Sequence, residues 1–590
     1  MTKSTSLGPR TSSLAAARPV NETTRLFREL LAADWKATLR EHPEMATQVG
    51  AKGYGGRWTD QSFEAIERRK RRHQRVMKSL RALDPRLLPP ADLLDHELFE
   101  RQVRETLDGD RFPGELMPLD QTGGVPASVP QVLAMMPAFT VADYEDLLAR
   151  MEAVPTVVDQ HIALMEEGLR RGITPPRLLL GQVPSQLRCQ LRKRAADSEM
   201  FDAFRSFPQT IPAASHQPLR RRATAALSKR IFPAFEKLAK YTERTYTPRA
   251  RETTAWAALP DGEAWYAHRV REQITVDRSP RELHDLGLEE VARLRKAMDA
   301  LIRETGFRGS FAAFCEFLRT DPRFFFSDGN AMLDAYRSLL KRIEPGVVSL
   351  FTRLPRLPCG VRPVPDATQS TSGTAYYQAG SLEGGRPGWF YANPYNLKAR
   401  PRWEMEALTL HEAVPGHHFQ LALAQEQDEV APFRKWGHYG AFVEGWALYA
   451  ESLGYELGLY QDPYNRMGQL SYEVFRACRL VIDTGLHAFG WSRDRAIDYF
   501  LANSCTARHD AEVEVDYYIG TPGQALTYKV GERVFRRLRE QAAARLGARF
   551  DLREFHDRLL ADGPLPLDVL ERRIGVWLEE RARAGRRKKG

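Results

Sequence analysis

WEMEALTLHEAVPGHHFQ, residues 403–420, reads as an apolar-faced helix that runs into His411-Glu412, breaks at Pro415-Gly416 and resumes with His417-His418. Three imidazoles and a carboxylate crowd together between His411 and His418, and neutral imidazole with carboxylate is a donor set that suits zinc. The His-Glu dipeptide matches the start of an HExxH motif, in which two histidines one helical turn apart bind the metal and the glutamate is the general base. Here the fifth position is Pro415, which ligates nothing. A proline inside a helix removes one hydrogen bond and clashes with the carbonyl four residues back, here that of His411. Such distortions recur at functional sites. Looping out two extra residues across Val414-Pro415-Gly416 returns His417 to the second-ligand position; a larger distortion gives that place to His418.

A third donor has to come from another helix. AFVEGWALYAE, Ala441 to Glu451, offers Glu444, with Glu451 seven residues on along the same face as a partner for a ligand. The segment resembles the NEGFAxYxE-type helix of the aminopeptidase branch of the gluzincins, in which the first glutamate completes a His-His-Glu site. Together, HEAVPGHHFQ, VEGWALYAE and TPGQALTYKVG resemble the bacterial domain-of-unknown-function-885 family, grouped with the zinc-dependent gluzincin metallopeptidases. The resemblance is strongest from Tyr376 to Val530. It implies a mainly α, two-lobed helical metallopeptidase-like fold with a small β-sheet flanking the active-site cleft. It also implies one Zn2+ per chain, held by His411, Glu444 and either His417 or His418.

Glu412 is then the general base, taking a proton from a metal-activated water and delivering it to the leaving amine. The oxyanion needs a donor; Tyr528, at a Pro-Gly turn entering a helix, is the first candidate and Tyr517 the second. Arg479, Asp483 and His487 recur at four-residue spacing, a stripe that either lines the cleft or forms an internal ion-pair row. Arg479 or Lys529 could hold a substrate carboxylate, and His487 is counted with them as substrate-binding. In gluzincins an edge strand beside the cleft binds substrate backbone by strand addition. TSGTAYYQAG, with Tyr376 and Tyr377, and WFYANP are the candidates, against the alternative of a structural hairpin.

A chain of 590 residues exceeds the roughly 250–300 at which one core stops growing. The texture suggests a disordered N-terminus (1–20), a mainly helical N-terminal lobe (21–354), a catalytic lobe with the sheet and zinc helices (355–580) and a basic tail (581–590). Arg111 to Pro130 reads as a long loop, Pro280 to Thr305 as a helix opened by a Ser279/Glu282 capping box, and Cys359 to Leu397 as the sheet. The net charge of +10 is diffuse. Its patches at Arg68–Arg75 and Arg586–Lys589 read as a solvated helix face and a tail, not a nucleic-acid surface. Five scattered cysteines without a CxxC pair argue against a disulfide framework and for a reducing compartment. With no signal-like N-terminus and no run of ~18 apolar residues, the expected location is cytoplasmic, with no membrane partner. The expected activity is that of a zinc metallohydrolase cleaving peptide or related amide bonds of short substrates. Its alternatives are an amidase on a non-peptide metabolite and an inactive metal- or peptide-binding scaffold.

Overall fold

The computed structural model describes residues 21–587 apart from 367, 371, 428 and 429, with side chains to 584. The N-terminal segment expected to be disordered lies outside the described residues. The chain is mainly helical, with a single three-stranded sheet among the described residues. Seven helices matter for the site: α1 (Pro280–Glu304), α2 (Met405–Glu412), α3 (His417–Gln425), α4 (Gly440–Ser452), α5 (Pro463–Ala488), α6 (Arg508–Gly520) and α7 (Thr527–Leu546).

Local chemistry sets the boundaries of α1 as its spacing predicts. Ser279 Oγ accepts the Glu282 N–H at 3.2 Å, while the Glu282 carboxylate accepts the Ser279 N–H at 2.8 Å, so two otherwise orphaned donors are satisfied together. The loop expected over Arg111–Pro130 ends sooner. A helix begins at Val125, with Pro126 in its first turn, where a missing N–H costs nothing, and Pro130 inside it. The C-terminal helix Leu567–Arg587 likewise takes in most of the expected basic tail, of which 588–590 lie outside the described residues. The Arg68–Arg75 patch lies on the helix Phe63–Arg81, where Arg72 pairs with Asp34 and, at 2.8 Å, with Glu41.

The sheet comprises β1 (Cys359–Pro363), β2 (Ala375–Gln378) and β3 (Gly388–Ala392) in the order β1-β3-β2. β3 runs parallel to β1 and antiparallel to β2. The WFYANP strand is therefore central, with both its edges paired, and TSGTAYYQAG supplies an edge. Tyr376 opposes Tyr391 across that pair, with their rings stacked at 4.8 Å.

The largest apolar core draws residues from Ile66 to Leu578, from both sides of position 355, and surrounds α2, α4 and α7. A second core uses residues from Leu119 to Ala250. Helices α4 and α7 cross where both carry glycine. A Cβ at Gly531 would lie 1.8 Å from the Ala441 carbonyl oxygen, and one at Gly445 would lie 2.4 Å from the Gly531 Cα. This backbone contact sets the distance between Glu444, beside one glycine, and Tyr528, one turn before the other. Gly531→Ala is expected to force the helices apart and destabilise the protein by about 1–3 kcal/mol, read as a lowered urea midpoint at unchanged slope.

Cys315 and Cys505, 190 residues apart in sequence, form a disulfide. Their spacing carries no recognisable pattern; this one bridge is short of the disulfide framework the cysteine count argued against, but the sequence carried no sign of it. The pairing also removes the cysteine argument for a reducing compartment. Among the described residues no helix is long and apolar enough to cross a membrane.

Candidate metal centre

Helix α2 ends at Glu412. Ala413 leaves helical geometry, the Val414–Pro415 peptide is cis, and α3 starts at His417. The break needs Gly416, whose Cβ would stand 2.0 Å from the His411 carbonyl oxygen and 2.3 Å from that of Leu410. The chain folds back against the last turn of α2 at a distance only glycine allows. Trp446 of α4 pins the turn by donating its indole N–H to the Pro415 carbonyl at 2.8 Å. One motif thus buttresses the other.

This fold-back brings His411 and His417 to one point, with ring centroids 4.7 Å apart and planes nearly perpendicular. Glu444 completes the group: its Oε2 lies 3.7 Å from His411 Nε2 and 3.3 Å from His417 Nε2. One ligand atom from each of the three lies within 4.8 Å of the others. On the far side of His411, Nδ1–H donates to Glu451 Oε1 at 2.8 Å, so that in the neutral ring the Nε2 lone pair faces inward. His417 Nδ1 and Glu444 Oε2 are buried without a hydrogen-bond partner. Burial works against a charged His411, but the neighbouring carboxylates of Glu444 and Glu451 outweigh it and lift its pKa to about 9. Burial likewise opposes a charged Glu444, yet the two histidines hold it well below the usual carboxylate range. The position between the three side chains therefore favours a positive charge. Two imidazoles and a carboxylate with a buried, unpartnered oxygen fit zinc by donor type.

The cluster lines a cleft of about 1230 Å³, open solvent included. Glu412, buried, lines the same cleft beside His411 but is not one of the three donors. Tyr528 lines the cleft too, its ring lying nearly parallel to that of His411 at 6.1 Å. Burial, followed by the Glu444 charge, pushes its pKa far up, so the hydroxyl stays a donor. Residues 373–375, entering the edge strand β2, form part of the wall.

Residues 43–574 match the model of a bacterial protein family of unknown function, DUF885. The chain belongs to that family. No curated protein matches it. Among the solved structures similar to it are two that are each described as a "putative lipoprotein". One, from Colwellia psychrerythraea, shares 27% identity over 95% of this chain and 100% of its own, with a TM-score of 0.88. The other, of unknown function from Shewanella oneidensis, shares 18% identity over 92% of this chain and 99% of its own, with a TM-score of 0.69, and shows likeness of fold alone.

In this DUF885 chain several residues expected at the site sit elsewhere. His418 points away from the cluster, 2.9 Å from the Tyr377 hydroxyl, and burial drives its pKa down to about 4. It is therefore not an alternative ligand, and Tyr377 is occupied supporting it. Tyr376 and Tyr377 themselves do not line the cleft. His487 accepts the Trp256 N–H at 3.3 Å and donates to the Tyr518 carbonyl at 2.9 Å, a wholly internal role. Lys529 is fully buried among Glu290, Glu473 and Glu532, at 3.1, 2.8 and 3.0 Å, and cannot reach a substrate. Tyr517 is half-buried on α6 and does not line the cleft. Arg479 does line the cleft, as does Arg476 one turn earlier, which sequence reasoning missed. Its signal was the i, i+3 spacing to Arg479 on α5.

Proposed function

We propose that this chain is a zinc-dependent metallohydrolase with a metallopeptidase-like helical fold, acting on peptide or related amide bonds of short substrates. The observation that carries the reading is the convergence of His411, His417 and Glu444 within 4.8 Å, with Glu412 on the adjoining cleft wall. His411 Nε2, His417 and Glu444 would hold the ion, and Glu451 fixes the tautomer and orientation of His411. Zinc bound there would supply Lewis acidity, polarising a substrate carbonyl and making water more acidic. The Glu412 carboxylate would take the proton from an attacking water in the cleft and return it to the departing nitrogen. Tyr528, protonated throughout the physiological range, can donate to the oxygen that gains charge. The edge of β2 gives an extended peptide backbone a place to pair beside the cluster.

The test is metal content by mass spectrometry. About one zinc per chain is expected for the wild type, as for three-ligand catalytic sites generally. His411→Ala, His417→Ala and Glu444→Ala should lose it, and His418→Ala should keep it. A wild type that takes up no metal even after reconstitution with zinc would sink the reading.

A further inference from the structure

Two guanidinium groups in the cleft are incompletely satisfied. Arg476 and Arg479 are both more than nine-tenths buried, and both line the wall next to the His411–His417–Glu444 cluster. Arg479 spends two of its nitrogens on the protein: Nε donates to the Tyr518 hydroxyl at 2.9 Å and Nη2 to Glu514 Oε2 at 2.7 Å. Its Nη1 is buried with no hydrogen-bond partner. Arg476 is barer. Its Nε is also buried and unpartnered, and the one acid within 4.0 Å, among the described residues, is Glu451, at that limit. A buried charged donor left unpaired is costly, so two on one wall call for an acceptor that the chain itself does not provide.

The position of the pair specifies the acceptor. The guanidinium carbons of Arg479 and Arg476 lie 4.4 and 5.6 Å from the centre of the Tyr528 ring. The same ring is 6.1 Å from that of the ligand histidine His411. An extended residue advances the chain by about 3.3–3.6 Å, so a group held by both arginines stands within about three residues of a bond placed at the cluster. The planar, forked donors of arginine match a carboxylate.

We infer that Arg476 and Arg479 recognise the free C-terminal carboxylate of a peptide, so that the cleft takes substrates by their C-terminal end and the bond presented to the cluster lies within about three residues of it. The inference rests on the proposed peptide-hydrolase reading for its substrate class. Of the acids lining the cleft outside the proposed zinc site, Glu514 is spent on Arg479 Nη2, Asp510 faces Arg400 at 3.6 Å, and burial raises the Glu404 carboxyl to a pKa of about 8.

The experiment measures binding, so that it does not depend on turnover. An N-acetylated alanine-phenylalanine tetrapeptide is titrated calorimetrically into zinc-loaded Glu412→Gln protein, as the free acid and as the C-terminal amide. The free acid is expected to bind about 100-fold more tightly, the scale of losing hydrogen bonds to a charged group. Arg476→Gln and Arg479→Gln, placed on that background, should abolish the preference without releasing zinc. Equal binding of acid and amide overturns the inference, as does the absence of binding by both. Neither result depends on the arginine variants. A tetrapeptide amide ending in glutamate separates the two sources of carboxylate; if it binds as tightly as the free acid, recognition of the terminus is wrong. Wild-type zinc protein that binds the acid selectively but cleaves neither peptide would instead refute the hydrolase reading and leave the carboxylate site standing.

Discussion

Glu412→Gln should leave about one zinc per chain and an unchanged melting temperature while slowing peptide hydrolysis by about 10³-fold, within the range a single general base contributes. The two side chains are isosteric, so packing around this buried position is preserved, and only the carboxylate's capacity to accept a proton is lost. The separation of roles makes the prediction sharp. Glu412 and His411 are adjacent in the last turn of α2, yet only His411 belongs to the three-donor group, and Glu412 faces the cleft. Metal content and hydrolysis should therefore part company in this variant, whereas in Glu444→Ala they fall together. Loss of zinc from Glu412→Gln would make the residue a ligand, and hydrolysis at the wild-type rate with zinc bound would remove it from the chemistry.

The positions of His411, Glu412, His417 and Glu444 were legible because their chemistry is local. A proline where a second histidine is expected demands a compensating insertion, and Gly416 is the residue that lets the chain turn back on the His411 carbonyl. The sequence could not choose between His417 and His418, because the choice depends on how the helix restarts. It restarts at His417, and the next residue faces Tyr377 of β2. Arg479 and Lys529 looked equally suited to a substrate carboxylate. What separates them is the acidic residues of α1 and α5, distant in sequence, that surround the lysine. The Cys315–Cys505 pair was invisible for the same reason, since nothing near either cysteine records a partner 190 residues away. Edge and centre in the sheet were likewise undecided by composition: both TSGTAYYQAG and WFYANP have β-forming aromatic residues, and the parallel pairing with β1 makes the second one central.

Lys529→Met should cost about 3–5 kcal/mol of stability at neutral pH, the effect of removing one partner from a buried ion-pair network. The ammonium is fully buried and sits among three carboxylates that are themselves almost inaccessible. Arginines attend the rim: Arg293 reaches both Glu290 and Glu473, and Arg536 reaches Glu473 and Glu532. Methionine fills the volume but leaves negative charges facing one another with their central cation gone. Burial alone would raise the Glu473 pKa, but Lys529 first, and then the arginines, hold it far below the usual 4.5. Glu290 is lowered by the same balance. Acids depressed in this way contribute stability that is present above about pH 4.5 and is lost as pH falls through their folded pKa values. The wild type has that contribution to lose on acidification, while the variant has already lost part of it. The gap between the two proteins should therefore be widest near pH 7 and narrow toward pH 4, as read from urea midpoints across that range. Because the network ties α7 to α1 and α5, and not to the cleft, zinc content and KM of the folded fraction should not change. A Lys529→Met protein of normal stability with a raised KM would return the lysine to the substrate.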